Sequence, residues 1–242
     1  MSAIITVLVL LTLSLAAHAQ SGWEYLTETP ERIIGLLDLP EIVAYGCGPA
    51  PKRITATVFS KPAQNGPRAG TIYWHEQADV ACGLMIERPG GVKEELPTLE
   101  SGYEIPAAIV YERRDAWFRI RLKGGSVWIR HAPEEDFLSY PEMLEENLPD
   151  ILQGWDGTLR AAPGPGGAVT PLSEGWKVLL DRTLSAQYLG SQKVGDDLWL
   201  HVRLAAKTPC DQTYEGVTDL TGWIPAYRPN GTPTMWFASR GC

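Results

Sequence analysis

The chain contains no C-x-x-C pair, no basic run and few histidines, and after its first residues it has no second long apolar stretch. Each shortage excludes something. Without closely spaced cysteines, a compact metal or redox motif is not expected. A net charge of −8 with no basic run argues against nucleic acid and anionic lipid as partners. His75, His131 and His201 are the only histidines beyond residue 19, which leaves little for a His-based catalytic or metal site. The run His131-Ala-Pro-Glu134-Glu135 reads as polar residues after a strand rather than as metal ligands. No cofactor is implied.

The single apolar stretch lies at the front. Ile4 to Ala17 is almost wholly apolar, and Ala17-His18-Ala19 is a small-x-small site. This reads as a signal peptide, residues 1–19, cleaved before Gln20. The stretch is shorter than the about 20 residues that a spanning helix needs. The expected location is periplasmic or secreted, with no integral membrane part after cleavage. Cleavage leaves 223 residues (242 − 19), enough for one large domain or two small ones.

What is abundant points to β-structure. Gly and Pro total 43 (24 + 19), which suits short strands joined by tight turns. Nine Trp and nine Tyr stand against four Phe, a strongly amphipathic aromatic set. One pattern occurs twice. Asp115-Ala-Trp117-Phe-Arg-Ile-Arg-Leu122 is followed by a Lys-Gly-Gly turn and Val127-Trp128-Ile129. Asp197-Leu-Trp199-Leu-His-Val-Arg-Leu204 is followed, after an insertion at 205–220, by Gly222-Trp223-Ile224. Upstream, Thr57 to Pro62 parallels Thr158 to Pro163. Alternation marks strands at 54–60, 105–112 and 187–192. Arg88-Pro-Gly-Gly91 is turn chemistry for an added hairpin. Gly175 to Leu180 also reads as a strand.

Helices are expected in two places. Thr29-Pro30 opens a short one carrying Ile33, Ile34 and Leu37. Residues 133–154 read as a helical linker, with a capping box at Ser139 and Glu142 and apolar residues at Phe137, Leu144, Leu148 and Ile151. The expected layout is a lead-in at 20–40, a first β-barrel at 41–132, the linker, and a second β-barrel at 155–242.

Four cysteines allow three pairings. An exported chain oxidises them. Cys47 and Cys82 fall in the first repeat and Cys210 and Cys242 in the second, so pairing within each repeat is expected. Each loop of about 33–36 residues would contribute roughly 3–4 kcal/mol in the loop-entropy account.

The order of strand, Pro-containing loop, strand, Trp-aromatic strand, short turn and Trp-Ile strand resembles bacterial SH3-like (SH3b) domains. The resemblance rests on Thr57 to Pro62, Ala107 to Leu122 and Val127 to Ile129 in the first copy. In the second it rests on Thr158 to Pro163, Trp176 to Leu180, Leu198 to Leu204 and Gly222 to Ile224. It implies a mainly β fold of two small barrels. It further implies a non-enzymatic binder of a peptide, a peptidoglycan (cell-wall) fragment or an envelope protein. An accessory or inhibitor of a cell-wall hydrolase and an oligomerising envelope subunit are the rival readings. An enzyme would need a nucleophile, and Cys82 sits in what reads as a strand. Of Trp117 and Trp199, and of Trp128 and Trp223, one in each pair is expected to be core. Arg119, Arg121, His201 and Arg203 should point outward. Tyr73, Trp74, Tyr188, Tyr227 and Trp236 have no core role in the repeat and are the candidate ligand-binding aromatics.

Overall fold

The computed structural model describes residue 26 and residues 31–43, 54–75, 83–103, 105–132, 134–208 and 213–237. The expected signal segment, residues 1–19, and all four cysteines lie outside these residues. The chain is mainly β, with a sheet curled as a half-barrel.

The first sheet holds β1 (Gly35–Leu37), β2 (Thr55–Phe59), β3 (Arg68–His75), β4 (Gly83–Glu87), β5 (Lys93–Glu95), β6 (Thr98–Gly102), β7 (Ile105–Arg114), β8 (Trp117–Leu122), β9 (Gly125–Arg130) and β10 (Phe137–Ser139). Its order is β10-β1-β7-β8-β9-β2-β3-β4-β5, with β6 also on β7. The second sheet holds β11 (Pro149–Ile151), β12 (Leu159–Arg160), β13 (Val169–Thr170), β14 (Leu184–Val194), β15 (Asp197–Leu204), β16 (Leu220–Pro225) and β17 (Met235–Phe237). Read from its far end, its order is β17-β11-β14-β15-β16-β12-β13. The two orders match strand for strand. The first sheet adds only β4, β5 and β6.

The correspondence extends to single hydrogen bonds. Both central hairpins carry a register shift at the same place, between Val110 and Glu112 and between Tyr188 and Gly190. Asp38 N–H donates to the Asp136 carbonyl (2.8 Å) as Leu152 N–H does to that of Thr234 (2.9 Å). Ser60 N–H donates to Pro67 (3.0 Å) as Ala161 N–H does to Ala168 (2.8 Å). The cross-strand partner of Trp128 is Arg119, and that of Trp223 is His201. The repeat expected from the sequence is therefore a repeat of register.

Its limits differ from the expected ones. Gly35-Leu-Leu37 forms strand β1, not the end of a helix. All three residues are buried. A run that is apolar at successive positions suits a strand covered on both faces. Gly35 is required there for close approach, because a Cβ would overlap the Leu138 carbonyl oxygen and the Phe137 ring. Ile42 and Val43 close a turn onto the Leu39 carbonyl. The expected linker helix is a strand, a helix and a strand. After a 3-10 turn at Glu134–Asp136, β10 completes the first sheet, α1 (Tyr140–Glu146) follows, and β11 begins the second sheet. The capping box is present, with Ser139 N–H donating to Glu142 Oε2 at 2.8 Å. The helix stops at Asn147 because Pro149 pushes the residue before it towards extended backbone. Residues 175–180 are likewise not a strand. Ser173 caps α2 (Glu174–Lys177), Trp176 is wholly buried, and its indole N–H donates to Thr218 O at 2.9 Å.

Two apolar cores result. Leu37, Ala108, Val110, Phe118, Ile120 and Ile129 belong to one. Leu36, Ala107 and Ile109 face the other, which also contains the interior of the second sheet, including Leu200, Val202 and Ile224. Strands β1 and β7 are thus the wall between two interiors. Gly35→Ala should therefore cost about 1–3 kcal/mol by overpacking. Gly83→Ala, where a Cβ meets nothing within 4 Å, should be nearly neutral. Urea denaturation of both variants checks the contrast.

Candidate functional site

The expected binding aromatics fall into different places. Trp74 belongs to the first core and Trp236 to the second, so neither lines a surface groove. Tyr73 is buried on the opposite face of β3 from Trp74, with the Lys93 ammonium 5.9 Å above its ring. Tyr227 and Tyr188 are part-buried and pack on the second core.

Two of the five, Tyr227 and Trp236, meet around a residue that the repeat did not single out. Tyr140, the first residue of α1, is completely buried. Its ring lies 5.7 Å from that of Trp236 and 5.4 Å from that of Tyr227. Its hydroxyl donates to Met235 O at 2.7 Å and accepts from Met235 N–H at 3.3 Å. Burial pushes the Tyr140 phenol well above its ordinary range. Tyr227 is also pushed up by burial, and its hydroxyl donates to Ile33 O at 2.8 Å. Arg32 lies over the Tyr227 ring at 5.4 Å and pairs with Asp197 at 3.1 Å. Ile33 precedes the first sheet and Tyr227 follows β16, so these contacts join the two sheets. Their aromatics lacked a core role within the repeat because they pack between the copies. An aromatic at the start of a capped helix was the available signal.

The repeat tryptophans divide as expected, one buried in each pair: Trp199 and Trp128 are each 6% exposed, while Trp117 and Trp223 are half-buried. None of the four sits in the two main apolar clusters. Their strand neighbours Phe118, Ile129, Leu200 and Ile224 do. Strict alternation then turns the tryptophans to the outer face. There Trp117 meets Phe59 edge-on at 5.4 Å, Arg114 covers Trp128 at 5.2 Å, and His201 stacks on Trp223 at 4.7 Å. Of the arginines expected to point outward, Arg203 is exposed and pairs with Asp219, Arg119 is part-buried and pairs with Glu112, and Arg121 is instead buried.

A cavity of about 600 Å³ opens beside β14. Leu144, Leu148 and Pro149 form one wall, Gln187 and Tyr188 another, and Lys207 part of its rim. Tyr188 is the one expected aromatic that lines it. Burial raises the Tyr188 phenol above its usual range. Leu148 and, at the adjoining bulge, Leu189 are 39% and 42% exposed.

The two units also differ in buried polarity. In the first, His131 Nε2 meets Asp136 Oδ2 at 2.5 Å, and Ser101 Oγ donates to Asp38 Oδ1 at 2.6 Å. By the matching hydrogen bonds, the second unit has Leu152 at the place of Asp38, Thr234 at that of Asp136 and Ala226 at that of His131. The fold itself thus accepts apolar or neutral side chains there. Among the described residues, no group of three or more His, Cys, Asp or Glu is placed to hold a metal.

No family model, curated protein or solved structure matches the chain.

Asp38 yields a signed prediction. Burial first, then the nearby Asp136 carboxylate, push its carboxyl up, against the Ser101 hydrogen bond. A carboxyl raised on folding costs stability when ionised. The cost is absent below the unfolded value, about 3.9, and grows as pH rises through the folded value. Asp38→Asn keeps an acceptor for Ser101 and removes the charge. It should raise Tm at pH 7, and the gain should vanish near pH 3. Thermal unfolding at both pH values tests this.

Proposed function

We propose that the chain is a non-enzymatic, exported binding protein built of two SH3-like units. It recognises a peptide, a peptidoglycan fragment or an envelope protein in the periplasm or outside the cell. The observation that carries the reading is the cavity beside β14, where a half-buried tyrosine, exposed leucines and a lysine rim come together in one of two otherwise matching units. Concave sites with apolar walls and a few polar groups are what small ligands and peptides use. The matched strand order supports the SH3-like assignment, because small barrels of this class are built from a Trp-bearing meander flanked by shorter strands. The half-buried Trp117 and Trp223, one in each unit, add amphipathic aromatic surface of the kind enriched at interfaces. The apolar stretch at Ile4 to Ala17 supports export. Among the described residues, no helix is long and apolar enough to cross a membrane.

The test is retention. The protein, immobilised through its N-terminal side, is challenged with purified muropeptides and with an envelope extract. The reading predicts selective retention of a peptide-bearing species, released unchanged. No retention of any species, or cleavage of the muropeptides, would overturn it.

A further inference from the structure

The two units provide a comparison inside one molecule, and at the cavity they part company. In the first unit, β7 is covered along the edge opposite β8. Strand β6 pairs at Ile105 to Ala108, and β1 pairs at Ala108, Ile109 and Val110. Ile34 N–H extends this contact, donating to Val110 O at 2.9 Å. Val110 is the last paired residue before the bulge.

In the second unit, the last paired residue before the bulge is Tyr188. Ala186, Gln187 and Tyr188 therefore correspond to Ala108, Ile109 and Val110. Strand β11 does not reach them. It pairs with β14 only at Leu184 and Ser185. Ile151 pairs with Leu184, four residues before Tyr188, whereas Leu37 pairs with Ala108, two before Val110. The pairing has slipped by two residues (4 − 2), an even slip that leaves every side chain on its proper face. The next residue of β11 is Pro149, which has no N–H to give. The chain before it turns away into α1. Among the described residues, no strand covers β14 from Ala186 to Tyr188, and all three line the cavity.

We infer that this uncovered edge is a strand-addition site, filled by an extended apolar segment of a partner polypeptide running antiparallel to β14. The occupant's chemistry is read from the first unit. There the same edge is covered by Ile34-Gly35-Leu36-Leu37, with Leu36 and Leu37 wholly buried. A partner segment with branched aliphatic side chains would bring the same chemistry to the cavity lined by Leu144, Leu148 and Tyr188. Its backbone would supply the ladder that Pro149 ends. Main-chain pairing gives affinity in this mode, and the pockets for alternate side chains give selectivity. A second copy of this chain cannot supply the segment from β1, which is enclosed between β7 and β10. An open edge of this kind is otherwise a liability for aggregation.

The inference rests on the peptide-binding reading above and specifies its site. The probe is a synthetic peptide with the sequence of residues 31–37, Glu-Arg-Ile-Ile-Gly-Leu-Leu, titrated into the labelled full chain and followed by amide chemical shifts. The site predicts shifts concentrated at Ser185 to Ser191. It also predicts their loss when the peptide is N-methylated at the alternate positions that face β14, and their survival with N-methylation at the other set. Absence of shifts at Ser185 to Ser191, shifts confined to the outer tryptophan faces, or binding that neither methylated peptide loses would overturn it. If muropeptides or an envelope protein are retained while this edge stays silent, the strand-addition site fails and the binding reading stands.

Discussion

Everything in this molecule depends on a wall that is apolar on both faces. Strands β1 and β7 give Leu37, Ala108 and Val110 to one core and Leu36, Ala107 and Ile109 to the other. Each large side chain so buried contributes about 1.5–3 kcal/mol relative to exposure. A sheet with one wet face could close only one interior. Because this wall closes two, the second unit is no separate bead on a linker. Tyr140 fixes the junction. Its ring fills the space against Trp236 and Tyr227, and its hydroxyl satisfies both backbone groups of Met235 at the outer strand of the second sheet.

The double-faced wall also explains what could be read from the sequence. The Trp-bearing meanders, the Pro-Gly-Gly hairpin and the doubling itself were legible, since long strands alternate clearly and turns carry Gly and Pro. Strands β1, β10 and β11 were not. Each has only three residues, too few for a period. Gly-Leu-Leu contains no polar residue to mark an outward face. The apolar spacing at Phe137, Leu144, Leu148 and Ile151 was genuine but belonged to three elements, so a single helix was the wrong sum. The tryptophans were legible as pairs, each with one buried member. The smaller aliphatic neighbours fill both interiors, while Trp128 is buried on the other face beneath Arg114 and Trp223 stays half-buried beside His201.

Of the candidate site, only Tyr188 was visible in advance. The cavity arises from a two-residue difference in pairing and from the position of one proline, and neither leaves a mark in composition or periodicity. It emerges when the second unit is laid on the first. The same comparison separates structural necessity from the rest. Positions that match, such as the bulge and the Pro-containing loop, belong to the fold. Positions that differ, such as the His131–Asp136 pair against Ala226 and Thr234, or the covered β7 edge against the open β14 edge, were free to take on other roles.

The shared wall makes the two units one cooperative body. Hydrogen exchange of the full chain in increasing urea, read separately for amides of β8 and β15, tests it most directly. A shared wall predicts that both sets lose protection with the same midpoint and the same slope. Two separated midpoints, with one meander surviving after the other has opened, would contradict it.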